Sequence, residues 1–180
     1  TANQRCHYHE AAVGKAIFKV LKGGIKREEL FIQTKYTYSK GQDERIPYDI
    51  DANYGTQVRQ SFQSSLKHLQ IDHVDSYLLH GPAIRWGLTQ DDWEVWKEME
   101  VIHQEGGTRY LGISNVNIGQ LKMLFERAKV KPTFVQNRCF AAQGWDKEVR
   151  EFCREKGIIY QGFSLLTANQ FVLPKVKHIA

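Results

Sequence analysis

Residues 55–82 read GTQVRQSFQSSLKHLQIDHVDSYLLHGP. Val58, Phe62, Leu66 and Leu69 recur at i, i+4, i+8 and i+11, the spacing of one helix face. The pattern then changes. Val74 to Leu79 is a short apolar run, closed by His80 and the Gly81-Pro82 pair. The segment reads as a helix feeding a buried strand, and the strand ends in a histidine.

The same unit recurs on both sides. LFIQT ends in Lys35, YLGI in Ser114 and Asn115, TFV in Gln136, Asn137 and Arg138, and YQGF in Ser164. Helical patterns separate these runs. Glu10 to about Leu21 carries Val13, Ile17 and Val20/Leu21 on one face, with Gly23 and Gly24 after it. Thr89, Asp91 and Asp92 make an acidic entry to a helix bearing Trp93, Trp96, Met99 and Ile102. Asn117 caps a helix with Ile118, Leu121, Phe125 and Ala128. A further helix is expected from Trp145 to Lys156, with Val149, Phe152 and Cys153 inward, and a last short helical segment toward the terminus. The expected strands are Leu30–Thr34, Val74–Leu79, Tyr110–Ile113, Thr133–Val135 and Ile158–Phe163. Tyr36 to Asp51 is a long loop, and loops of that length between a strand and a helix are usually functional.

A repeated βα unit without hairpins implies an α/β fold with a parallel sheet. An open doubly wound sheet and a (β/α)₈ barrel both fit. The length of 180 residues favours the open sheet. Against it, G-x-G-x-x-G and G-x-x-x-x-G-K-[ST] are both absent. Polar groups at five strand ends suit a barrel mouth, because parallel sheets gather their chemistry at the carboxyl ends of strands.

Composition bounds the function. The chain is 42% hydrophobic and 25% charged, which suits one soluble domain with a real core. No run approaches the length of a membrane span, and no signal peptide is visible. Net charge is +5, but basic residues are interspersed with acids, as in Lys26-Arg27-Glu28-Glu29, so no nucleic-acid partner is expected. Cys6, Cys139 and Cys153 are scattered and odd in number, which favours a reducing, cytoplasmic setting and no metal site. The chain opens at Thr1 without Met, at what reads as the end of a strand, so a processed chain or a fragment is expected.

Lys35 and His80 end different strands of one parallel sheet and should face the same mouth. A half-buried Lys there needs a depressed pKa or an acidic or phenolic partner. A His beside it can orient a polar substrate atom or move a proton.

Together with these residues, EAAVGKAI at 10–17, REELFIQTK at 27–35, SLKHLQIDHVDSYLLHGP at 65–82, G-x-x-R-x-LGISN at 106–115 and FVQNR at 134–138 resemble the aldo-keto reductases, in order and spacing. The resemblance implies a (β/α)₈ barrel, present from the end of its second strand through about its seventh. It implies a single domain over 1–180, incomplete at both termini. The implied activity is reduction of aldehydes and ketones with NADPH, NADH being the alternative. A Tyr supplies the proton. Its unperturbed pKa is about 10, and a nearby Lys ammonium lowers it. A His binds the carbonyl oxygen.

On this resemblance Lys35 and His80 match the family's Lys and His. Ser114, Asn115 and Gln136 match the groups that grip the nicotinamide carboxamide. Phe163 replaces a ring-stacking Tyr, and Ser164, Leu165 and Asn169 fall in the loop near the pyrophosphate. Tyr8 is taken as the acid, although it stands later than the family spacing from Ala2 and His7 fills the position counted back from Glu10. The Asp that pairs with the Lys should directly precede Thr1. Tyr36, Tyr38, Trp86 and Phe140 are expected to line the pocket for a small carbonyl substrate, and Asp75, near Lys35 in the family fold, is taken either as structural or as a remote support for the site. The alternative function is a nucleotide-sensing, non-catalytic subunit.

Overall fold

A computed structural model describes residues 1–4, 6–167 and 169–170. Its elements alternate: α1 (Glu10–Lys22), β1 (Gln33–Tyr36), α2 (Tyr54–Leu69), β2 (Val74–Leu79), α3 (Gln90–Gln104), β3 (Thr108–Ser114), α4 (Ile118–Arg127), β4 (Phe134–Arg138), α5 (Lys147–Lys156) and β5 (Ile159–Phe163). All strand pairs are parallel, and the spatial order β1-β2-β3-β4-β5 is the chain order. A doubly wound sheet reverses its strand order at a switch point. This sheet has no reversal.

The sheet also curls. Side chains of β1 and β4, with two strands between them, meet across its concave side: Gln136 Nε2 donates to Gln33 Oε1 at 3.3 Å. Near them the Phe31 and Phe134 rings lie 5.4 Å apart. Sequential winding with this curvature is the geometry of a (β/α)₈ barrel, of which these are consecutive units.

The main core lies between sheet and helices. Phe62 of α2 meets Tyr77 of β2 at 4.8 Å between ring centroids. Trp96, Met99 and Ile102 of α3 are buried, with Leu111 and Ile113 of β3 and Leu121 and Leu124 of α4. Buried Trp96 satisfies its indole N–H on the Val130 carbonyl at 3.3 Å.

Several boundaries differ from those expected. The first strand begins at Gln33 rather than Leu30. Its register partner begins only at Val74, and the Asp75 carboxylate already takes the Ile32 N–H at 2.8 Å. Asp75 also pairs with Arg27 at 2.9 Å. β4 runs on to Arg138 because β5 pairs with it that far, Arg138 facing Phe163. α5 starts at Lys147, since Trp145 and Asp146 take left-handed backbone (φ 60° and 52°). The expected final helix falls largely on residues 171–180, outside the described residues.

The inward face of α1 is also different. Val13 and Val20 are exposed, while Glu10, Gly14 and Ile17 are buried. Gly14 is the reason. A Cβ there would lie 2.0 Å from the His68 carbonyl oxygen, so α1 crosses the end of α2 with backbone against backbone. Gly14→Ala is expected to cost about 1–3 kcal/mol by overpacking this crossing, read from urea denaturation midpoints.

Candidate active site

Lys35 is in β1 and almost wholly buried, and its Nζ donates to the Thr1 carbonyl at 2.8 Å. Burial pulls its pKa down to about 8, and the Glu10 carboxylate opposes that shift. Glu10 is buried at the start of α1. It accepts from Thr34 Oγ1 and from Ser65 Oγ (3.1 Å), and lies 3.4 Å from His68 Nδ1. In the sequence Glu10 marks the helix start and the position from which the Tyr slot is counted back, with no sign of burial. Its burial depends on α1 lying close on α2, a contact that the α1 pattern alone does not reveal.

Tyr8 precedes α1 in a turn held by hydrogen bonds from the His7 and Tyr8 N–H groups to the Gln4 carbonyl (3.2 and 3.0 Å). Lys35 Nζ lies 5.5 Å from the Tyr8 ring centroid. On another side the Tyr8 ring meets the His80 ring edge-on at 6.0 Å. His7 is exposed, with Nδ1 2.8 Å from Cys6 Sγ. Thus Tyr8, Lys35 and His80 meet at the carboxyl-end rim, from three segments of chain.

His80 follows β2, and its backbone N–H donates to the Tyr36 carbonyl at 2.9 Å. Burial, then the nearby Lys35 and His7, hold its pKa down to about 4. The ring is therefore neutral near pH 7.

Ser114 and Gln136 face each other in register at the ends of β3 and β4. Ser114 Oγ donates to the Gln136 carbonyl at 2.6 Å. Asn115, in left-handed backbone (φ 52°), donates to the His80 carbonyl at 2.8 Å. Gln136 Nε2 donates to Gln33 and Gln161. Asn115 Oδ1 and Gln136 Oε1 receive no hydrogen bond among the described residues. Two free amide acceptors at the ends of neighbouring strands, one of them beside His80, suit the donor end of a primary carboxamide.

At the end of β5 the Arg138 guanidinium lies 5.8 Å from the Phe163 ring centroid, and Ser164 has left-handed backbone (φ 58°). Leu165 is exposed. Asn169 is buried, and its amide is engaged by the protein: Ala141 N–H donates to it, and it donates to the Cys139 and Leu165 carbonyls. It braces this loop instead of presenting its amide to a ligand.

A cavity of about 410 Å³ opens beside His80 and Asn115, walled by Tyr38, Tyr54, Pro82 and Ile84. Of the four residues expected to line it, only Tyr38 does. Tyr36 is wholly buried, with its hydroxyl on Gln57 Oε1 at 3.2 Å, because alternation along β1 turns it away from Lys35 into the core. Trp86 is 70% exposed and borders a different groove, with Ile118 and Met123. Phe140 precedes the turn Ala141–Asp146 and lies away from the cavity. Tyr54, unassigned from sequence, takes a wall because α2 starts at the rim. Among the described residues no group of His, Cys, Asp and Glu is arranged to hold a metal, and no helix is long and apolar enough to cross a membrane.

The fold is a run of consecutive β/α-barrel units, with Tyr8, Lys35 and His80 converging at the carboxyl ends of its strands. The chain belongs to the aldo/keto reductase family, whose model matches residues 5–177. It is 30% identical over 154 residues to glyoxal reductase of Bacillus subtilis, covering 85% of this chain and 49% of that protein. It is 32% identical over 170 residues to aldo-keto reductase family 4 member C11 of Arabidopsis thaliana, covering 88% and 50%. Among solved structures, an aldo-keto reductase of the silkworm Bombyx mori, also solved with NADPH, superposes with a TM-score of 0.69 at 26% identity, over 86% of this chain and 45% of that one. The chain spans about half the length of the curated relatives it matches.

The His80 shift has a consequence for stability. An unfolded imidazole titrates near 6.5, so between that value and about 4 the unfolded chain holds a proton that the native state does not. The contribution is complete above pH ~6.5 and is lost as pH falls toward ~4, by at most about 3 kcal/mol. Urea midpoints should fall across this range, and less steeply in His80→Asn.

Proposed function

We propose that this chain carries the proton-donating and cofactor-gripping part of an NADPH-dependent reductase of aldehydes and ketones. The observation that carries the reading is the convergence of Tyr8, Lys35 and His80, with the ammonium 5.5 Å and the imidazole 6.0 Å from the Tyr8 ring. Bound NADPH would supply a hydride to the carbonyl carbon. Ser114, Asn115 and Gln136 would hold its carboxamide, Phe163 would stack on its ring, and Ser164 with the Leu165 backbone would lie along the loop toward its pyrophosphate.

Tyr8 is the proton donor in this reading. As its proton leaves, negative charge forms on the phenolic oxygen, and the Lys35 ammonium stabilises it. Near neutrality Lys35 is below its pKa of about 8 and carries that charge. Neutral His80 donates a hydrogen bond to the carbonyl oxygen, where charge develops. Burial of Lys35 strengthens its interaction with that charge.

The cavity wall of Tyr38, Tyr54, Pro82 and Ile84 suits flat or apolar carbonyl compounds. NADPH is supported by the silkworm relative solved with it. Relatives named for substrates as unlike as glyoxal and D-galacturonate make the pocket, not the family, the guide to substrate.

The test is NADPH oxidation by the full-length protein with a nitrobenzaldehyde. Tyr8→Phe is expected to lower kcat about 100-fold or more, with NADPH affinity by fluorescence titration unchanged. His7→Ala is expected to retain turnover. Full activity in Tyr8→Phe together with loss in His7→Ala would transfer the acid role to His7. Tight NADPH binding by the native protein without reduction of any carbonyl would favour a sensing subunit.

A further inference from the structure

The Thr37 hydroxyl lies 2.7 Å from Nδ1 of His80. The two residues leave neighbouring parallel strands side by side, tied by the hydrogen bond from His80 N to the Tyr36 carbonyl. Thr37 is buried, and its orientation is fixed from several directions. Its carbonyl accepts from the Tyr48 hydroxyl at 2.8 Å and from Gln42 Nε2 at 3.3 Å. Its methyl packs onto Gly41, where a Cβ would come within 2.7 Å of Thr37 Cγ2. With backbone and methyl both placed, the staggered rotamer leaves Oγ1 directed at the imidazole.

A neutral imidazole carries one N–H, on Nδ1 or on Nε2. The partner's hydrogen-bonding needs decide between them. Among the described residues, Thr37 Oγ1 has no hydrogen-bond partner other than His80 Nδ1. If Nδ1 held the proton, the hydroxyl would have to accept, and its own hydrogen would have no protein acceptor among the described residues, only the cavity that Thr37 lines with His80. If Nδ1 is bare, the hydroxyl donates to it and both groups are satisfied. The ring proton then sits on Nε2, the nitrogen that Thr37 leaves available.

We propose that Thr37 is a positioning residue: its hydroxyl holds His80 in the Nε2–H tautomer and thereby makes Nε2 a donor to the substrate's carbonyl oxygen. This rests on the reading of His80 as the oxygen-binding group. The opposite tautomer would present a lone pair to an oxygen gaining negative charge, which opposes reduction.

The test uses the full-length protein with isotope-labelled histidine, alongside Thr37→Val and Thr37→Ser. Long-range proton–nitrogen correlation spectra separate a protonated ring nitrogen from a bare one. Wild type and Thr37→Ser are expected to show His80 bare at Nδ1 and protonated at Nε2, and Thr37→Val a mixture of tautomers. In aldehyde reduction Thr37→Val should lose about 10-fold in kcat with KM for NADPH unchanged, while Thr37→Ser stays within about 3-fold of wild type. A wild-type His80 protonated at Nδ1 would overturn the proposal, and that spectrum decides it even if Thr37→Val fails to fold. Retained activity in Thr37→Val with loss in Thr37→Ser would also overturn it, by giving the role to the methyl and Gly41. His80→Asn tells the two readings apart. Undiminished reduction there removes the oxygen-binding role, while the spectra still report whether Thr37 sets the tautomer.

Discussion

A lysine ammonium buried within a sheet is costly, and much of this chain's local architecture surrounds that charge. Lys35 has a carbonyl on its ammonium and the Glu10 carboxylate as its counter-charge. Glu10 in turn is fixed by Thr34 of β1 and by Ser65 and His68 of α2. This requires α1 to lie close on α2, and Gly14 permits it. The turn that carries Tyr8 leads directly into α1, so the helix crossing that buries Glu10 also sets where the Tyr8 ring meets Lys35. Packing and site electrostatics are one constraint here. In this chain Glu10 supplies carboxylate support to Lys35 from the helix that follows Tyr8.

The strands and caps were legible where the signal is local. β2 is found at Val74–Leu79, because an apolar run between turn residues has one reading. Asn117 caps α4 as expected, and Thr89, read as part of an acidic helix entry, caps α3, since a cap depends on residues within one turn. The sequential parallel order follows from the βα repeat. What the sequence concealed depends on partners distant in the chain. β1 shifts because its ladder begins where β2 begins. Val13 and Val20 are exposed because a glycine, not the apolar stripe, selects the inward face of α1. Its neighbourhood in sequence suggests a pocket role for Tyr36, yet strand alternation places Lys35 and Tyr36 on opposite faces. Thr37 carried no signal, because its role comes from a histidine on another strand.

The cavity wall shows the same dependence at the level of loops. The segment between β2 and α3 carries Pro82 and Ile84 past His80, and such loops are ordinarily the mobile part of a barrel mouth. Here the residues that cap the following helices also hold it. Asp92 closes the α3 capping box with Thr89, and the same carboxylate accepts the Ala83 N–H and the Tyr38 hydroxyl, both at 2.8 Å. Gln120 closes the α4 box with Asn117, and its Nε2 donates to the Ile84 and Gly87 carbonyls. Asn117 Nδ2 reaches the Arg85 carbonyl at 2.9 Å. A helix start is among the most rigid points of an α/β fold, so a loop bonded to two of them inherits its geometry from the scaffold. The cavity wall beside His80 is therefore built from capping interactions, and its shape is set by α3 and α4.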